Sequence, residues 1–552
     1  MLWSPFGSAN FDNCSTWLQN IDAAAFNASN PGIFYNVTAK LFTISGCQKI
    51  CGSGPQAWDG QDIIDRFSLW VLPGIVLITH FNFAPLGLRN YCEILLHAIG
   101  DPMDSLYAIL VRLELQRRYL ELARKTLDVG DAKTADSSKT KAKFRFIMKL
   151  FTPKKCLETK DAKHVATIWA AYEEVGWLDA SEHFLIQKSQ RGKNAINEKE
   201  RWIIREASHD LSSRRQQSSR LTLLPVCMLA ISLVTAIVRT FHDIEINDYS
   251  RINNETAHNI AILCLLFIFM PLVIFSGSLS SALTVNGSAE VIDEMRRKLR
   301  EARPTDPPLF PDLVINRETS NSLFPKQSGR VDESYTIHDY SGTPLNHTWR
   351  PWKDMQTPKS QKCLRSHSCL YVESFILVVC GSSLPAIFLS ATNHTNGKMT
   401  GLGCRSLSWL SISSFRVLSS VVFDSILNKV LLKRSTNIPA NIEYLWLWTI
   451  RKDALFVFVT CLLILFEQIG VYNNCWCRSS FSGFVNLNDY LPNEVRTLHF
   501  FWSSLAPGGF LFSLLLTLVI LLTGNGLTGV MCRSQDQLKK DGEAISSYKK
   551  RA

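Results

Sequence analysis

The fold class this sequence predicts is all-α: a polytopic membrane bundle of about seven transmembrane helices, with cytosolic amphipathic helices and disordered loops. Three observations predict it. Apolar residues gather in windows of about 18 to 24 positions, enough for a helix rising about 1.5 Å per residue to cross a hydrocarbon core of about 30 Å. Between the windows, lysine and arginine collect in alternate segments, as the positive-inside rule expects. Sequons and cysteines favour the segments in between. The mean hydropathy of +0.04, with 46% hydrophobic and 19% charged residues over 552 positions, averages these populations. A simple cytosolic enzyme, a collagen-like chain and a disulfide knot are excluded on the same grounds.

Taken in order, residues 1–66 form an extracytoplasmic tail. It carries sequons at Asn13, Asn27 and Asn36 together with Cys14, Cys47 and Cys51, a mixture suited to an oxidising compartment. Residues 1–20 hold no signal-peptide core, so the first window, Phe67 to Leu88, is expected to insert as an uncleaved anchor. Residues 89–220 then fall in the cytosol. Within them Asp101 suits a helix cap, Pro102 its first position and Asp104 its first turn. Leu106, Ile109, Leu110 and Leu113 follow at helical spacing, which predicts an amphipathic helix on the membrane or packed below the bundle. Asp128 to Lys143 reads as a polar linker, and Val165, Ile168, Trp169, Tyr172 and Val175 mark a second helical patch from His164 to Ile186.

The second and third windows, Leu221 to Val238 and Ile260 to Leu283, occupy residues 221–283, with a sequon at Asn254 in the outer loop. Residues 284–369 form a flexible cytosolic loop, its Arg303 to Lys362 part draped or disordered. Residues 370–524 hold four more windows: Leu370 to Ala391, Ser406 to Leu427, Ala454 to Val471 and Ser503 to Gly524. The second of these is the weakest, being rich in serine and containing Arg416 and Asp424. A basic cytosolic tail, 525–552, closes the chain. Pro73, Pro271 and Pro385 lie inside windows, where bundle neighbours in a membrane satisfy the freed carbonyls.

Seven crossings from an outside N-terminus put the C-terminus in the cytosol, and the short loops agree. Lys429, Lys433, Arg434, Arg451 and Lys452 fall inside, against a lone Lys398 in the 392–405 loop, which also carries the sequon at Asn393. Asn286 and Asn346 fall inside and should stay bare. Cys14, Cys47, Cys51, Cys404, Cys475 and Cys477 face outward, and six cysteines allow fifteen pairings. The protein is thus expected in the endoplasmic reticulum or plasma membrane, with the lipid bilayer as its first partner. The net charge of +11 reads mainly as orientation signal; its spread without interleaved aromatics excludes nucleic acid as a partner.

No phosphate-binding glycine loop, dinucleotide fingerprint, nucleophile elbow or HExxH pair occurs, so no cofactor and no metal are expected. The informative residues are ionisable groups in or beside apolar windows: Glu373, Arg416, Asp424 and Glu467. Arg416 and Asp424 are eight residues apart, about two turns, and face within roughly 80° of each other. The plain reading is an ion pair or interfacial snorkelling, and Glu373 reads as interfacial. The sharper reading makes Asp424 or Glu467 a neutral carboxyl held in an apolar helix, able to give up a proton. Trp70, Trp409, Trp446, Trp448 and Trp502 lie near window ends, as belt residues do.

The block CGSGPQAWDGQDIIDRFSLWVLP (Cys51 to Pro73), followed by LLHAIGDPMDSL (Leu95 to Leu106), resembles a group of multi-pass proteins of filamentous fungi. Proteins of this general kind look like the membrane-bound terpene cyclases of the ascochlorin and ascofuranone type in fungal meroterpenoid secondary metabolism. That resemblance implies a metal-independent enzyme that opens the epoxide of a farnesyl chain with an acid, on a hydrophobic prenylated small molecule. The expected acids are Asp424 and Glu467. A non-enzymatic seven-helix sensor or receptor, or a transporter, is the alternative, favoured by the long cytosolic loops.

Overall fold

The computed structural model describes residues 9–55, 60–79, 88–127, 160–174, 180–191, 196–213, 223–246, 254–279, 285–310, 367–390, 394–395, 398–399, 403–432, 438–479, 483–487, 492–523 and 543. The architecture is all-α, with strands of only two or three residues. In chain order α1 (Phe11–Asn20), α2 (Ala23–Ser29), β1 (Phe34–Asn36), β2 (Leu41–Thr43) and α3 (Ile44–Cys51) make a small cap. After it come α4 (Gly60–Thr79), α5 (Leu88–Gly100), α6 (Pro102–Leu127), α7 (Lys160–Glu174), α8 (Ala180–Arg191) and α9 (Glu198–Ser213). Next are α10 (Leu223–Ile246), α11 (Asn254–Leu265), a 3₁₀ turn, α12 (Phe269–Leu279) and α13 (Val285–Ala302). A further rod joins α14 (His367–Val378), the π-helical segment Val379–Ser383 and α15 (Leu384–Ser390). A ribbon of β3 (His394–Thr395) and β4 (Lys398–Met399) precedes the long helices α16 (Cys404–Leu432) and α17 (Ile438–Gln468). Last come α18 (Cys475–Arg478), β5 (Phe484–Val485) and α19 (Pro492–Thr523).

Among the described residues, three large buried cores and one small cluster around Trp409 organise these elements. In the cap, β2 pairs antiparallel with both β1 and β5, so the segment after α17 completes a sheet begun by the N-terminal tail. Disulfides Cys14–Cys51, Cys47–Cys475 and Cys404–Cys477 staple it. Each of the six cysteines read as outward-facing is thus joined to another of the same set. Neighbouring residues of α18 anchor two different segments: Cys475 holds α3, and Cys477 holds the start of α16.

The largest core belongs to the bundle of α4, α6, α10, α11, α12, α14, α15 and α19. Its helices approach closely where side chains are small: a methyl added at Gly509 of α19 would lie 2.7 Å from Pro385 Cγ, and one at Gly381 3.1 Å from Ser513 Cβ. Ser382 Oγ donates to the Leu265 carbonyl across the bundle at 3.2 Å. Small residues and hydroxyls of this kind replace hydrophobic driving force in lipid. The outside of this bundle and of the adjacent α16 is apolar too: Ile231, Val234 and Val238 on α10, Phe415, Leu418 and Val422 on α16, and Leu511, Leu515 and Leu518 on α19 are all exposed.

Among the described residues, two stretches are long and apolar enough to cross a membrane, Cys369–Ser390 and Ser503–Leu521. Trp70–Thr79, Pro102–Val111, Leu224–Val238 and Ile260–Ser276 are apolar but shorter. The expected seven spans are therefore not all established. Serines and Arg416 dilute α16, while Lys452, Asp453 and Glu467 interrupt the apolar character of α17.

Three other expectations change. Helix α6 is no one-sided surface helix: Met103, Leu106, Tyr107, Ala108, Ile109, Leu110 and Val111 are all buried, because the neighbours surround its first half. Leu309 and Phe310, in a stretch expected loose, are buried in the third core; Phe310 stacks on Tyr172 with ring centroids 5.7 Å apart. Trp409 is buried at 1% exposure, packed with Ile262, Ile387 and Ile412 instead of joining a belt. The sequence-read linker from Asp128 to Lys143, the sequons Asn346 and Asn393 and nearly all of the 525–552 tail lie outside the described residues.

That third core joins the second half of α6 to α7, α8, α9 and α13 as a helical domain. Asn197 and Glu200 form a reciprocal cap at the start of α9: Glu200 N donates to Asn197 Oδ1 at 2.7 Å, and Asn197 N to Glu200 Oε2 at 2.9 Å. The other Glu200 oxygen takes Arg191 at 2.6 Å. Helix α6 thus runs from the interior of the bundle into the centre of this domain.

Candidate functional site: a buried charge network

Gly100, Asp101 and Pro102 form the tight bend between α5 and α6, and α5 packs against α17. The side chain of Asp101 caps α6, accepting from Asp104 N at 3.2 Å. The capping reading of the sequence is borne out, but it accounts for a fraction of what this carboxylate does. Ser420 of α16 donates to the same oxygen at 2.6 Å. Lys452 of α17 reaches the other oxygen at 2.5 Å, and also lies 3.0 Å from Asp453 Oδ1.

One helical turn earlier, His97 is fully buried with a carboxylate at each ring nitrogen. Nδ1 is 2.6 Å from Asp453 Oδ2, and Nε2 is 3.0 Å from Asp104 Oδ2. Arg416 of α16 is close enough to interact with the charges of Asp101 and Asp453, while its Nη2 donates to Thr460 Oγ1 at 2.7 Å. Three carboxylates therefore face an imidazole, an ammonium and a guanidinium. Gly100 makes this approach feasible: a methyl there would lie 2.7 Å from Asp453 Cβ and 2.8 Å from its Cα and carbonyl oxygen.

The sequence-chosen acids lie elsewhere or beyond view. Glu467 is buried at 3% exposure near the C-terminal end of α17, fourteen positions after Asp453. Asp424 lies on α16, with its side chain outside the described residues. Arg416 is engaged with Thr460. Among the sequons, Asn13 and Asn36 are exposed on the cap and Asn27 is half-buried; Asn254 begins α11 with its side chain outside the described residues. Among the described residues no group of three or more His, Cys, Asp or Glu is arranged to hold a metal.

Sequence reasoning missed His97, Lys452 and Asp453 as site residues. A signal was present: LLHAIGDPMDSL, one of the two stretches that carry the family resemblance, contains His97, Gly100, Asp101 and Asp104. It is the bend and its two flanking helix ends. No protein family, curated protein or solved structure matches this chain.

Proposed function

We propose that the chain is a polytopic integral membrane protein of about seven spans, with its cap outside and its helical domain and C-terminus in the cytosol, and that it acts as a membrane sensor coupling the two sides. Exposed apolar stripes on α10, α16 and α19 support the membrane reading, since a water-soluble surface rarely tolerates such continuous patches. The three disulfides support the orientation, because they need an oxidising side and join only segments assigned to it. The orientation predicts glycans on Asn13 or Asn36 and none on Asn346. A glycosidase shift on single Asn→Gln variants checks this, and a modified Asn346 overturns the topology.

The single observation that carries the sensor reading is a continuous mechanical path. Cys404 and α18 tie the cap to one end of both α16 and α17; these helices carry Ser420, Lys452 and Asp453 to the bend; and α6 leaves the bend for the core of the helical domain. Coupling requires an element with two arrangements that both ends bias. Breaking the outer staple with C404S should therefore change amide hydrogen exchange in α7 and α9 of the solubilised protein. Unchanged exchange there rejects the coupling.

A second reading, the acid-initiated cyclisation of an epoxidised prenyl chain, is favoured by one observation: Glu467 is a carboxyl buried in an otherwise apolar stretch of α17. A buried neutral carboxyl could open an epoxide, and aromatic faces could steady the resulting cation. Microsomes containing the protein, given an epoxidised prenyl-phenol, should then yield a cyclised product that E467Q or D424N diminishes by about 10² to 10⁴. No product from the wild-type protein removes this reading.

A further inference from the structure

We propose that His97, Asp104 and Asp453 form a proton-binding site inside the bundle, and that the bound proton holds α5 and the first turn of α6 against α17. The inference goes beyond the sensor reading and does not depend on it. It begins with donors and acceptors. A carboxylate only accepts, so an imidazole placed between two carboxylates needs an N–H on each side. A neutral imidazole has one; its other nitrogen would point a lone pair at a carboxylate oxygen. His97 Nδ1 meets Asp453 in a hydrogen bond of 2.6 Å, while Nε2 lies 3.0 Å from Asp104 off hydrogen-bond alignment, so on that side a second proton acts through ion pairing with the carboxylate.

Charge balance gives the same answer. The groups that face this site are Asp101 at the cap of α6, Asp104 from α6, Lys452 and Asp453 from α17, and Arg416 from α16. With His97 protonated, three cations balance three carboxylates. Without that proton a net negative charge is left among groups that are largely shut away from water, which is costly in a low-dielectric interior. The proton comes from water and returns to it; no bond other than N–H changes.

Because the folded protein binds this proton more tightly than an unfolded chain does, the stabilisation is full below the ordinary imidazole range near pH 6.5 and is lost as pH rises above it. The test is the thermal midpoint of the full-length protein in detergent, followed from pH 6 to pH 9.5 for wild type, H97Q and D104N. One retained proton corresponds to about a tenfold change in the folding constant per pH unit, so the wild-type midpoint should fall across this range. In D104N the carboxylate charge 3.0 Å from Nε2 is gone, two cations then balance two carboxylates, and the second proton is no longer needed. That variant should accumulate normally and show a flatter profile above neutral pH, as should H97Q.

If H97Q fails to accumulate, D104N decides alone. A D104N or H97Q profile parallel to wild type overturns the proposal. So does a D104N protein that never accumulates, since the neutral arrangement it completes should fold.

Discussion

Lys452→Met should destabilise the protein by about 3–5 kcal/mol, the range for removing one partner of a buried ion pair. The ammonium touches both Asp101 and Asp453, at 2.5 and 3.0 Å, and its side chain is 11% exposed. Deleting it leaves three carboxylates facing His97 and Arg416, with little water to screen them. Thermal midpoint and monodisperse yield in detergent are the measurements. The double variant K452M/D101N should recover much of the loss, because asparagine still caps α6 and no longer brings a charge. A K452M protein as stable as wild type would mean that the network is wet and its pairs are worth no more than surface pairs, about 0–1 kcal/mol.

The two sides of this pair show what was readable from residue order. Asp101 announces itself locally: aspartate before proline, with an acidic residue in the first turn, is a cap, and the cap is there. Lys452 announces only a basic loop. Its partner is 351 positions away, and nothing local selects one lysine among the 59 basic residues. The same limit applies to the cysteines. Their common side follows from sequons and charge, but choosing one of fifteen pairings needs Cβ positions, which only the folded cap supplies.

Why the charge network escapes notice in the sequence follows from how hydropathy is read. Asp424 and Glu467 stood out because they fall inside apolar windows, whereas Asp101, Asp104, Lys452 and Asp453 fall outside the window edges and read as loop charge. Packing α5 and α6 into the bundle erases that distinction. Helix α6 was misread in a related way: Leu106, Ile109, Leu110 and Leu113 do mark one stripe, but Tyr107, Ala108 and Val111 lie off it and are buried as well. A period reports which face is most apolar, and it does not report how many faces find partners.

Gly100→Ala tests whether the bend is seated as described, because its sign differs between the two settings. On a solvent-exposed helix end, alanine in place of glycine would be neutral or stabilising by about 0.5–1 kcal/mol. Here the added methyl meets the Cα and carbonyl oxygen of Asp453 at 2.8 Å, backbone atoms that have no rotamer to escape into. Helices α5 and α17 must separate, and the movement is passed directly to the His97–Asp453 contact one turn away. Overpacking of this kind costs about 1–3 kcal/mol, and the lengthened ion pairs add to it. The thermal midpoint of G100A should therefore fall, and the pH dependence tied to His97 should shrink with it. A midpoint equal to or above wild type would place the bend in open solvent and separate it from α17.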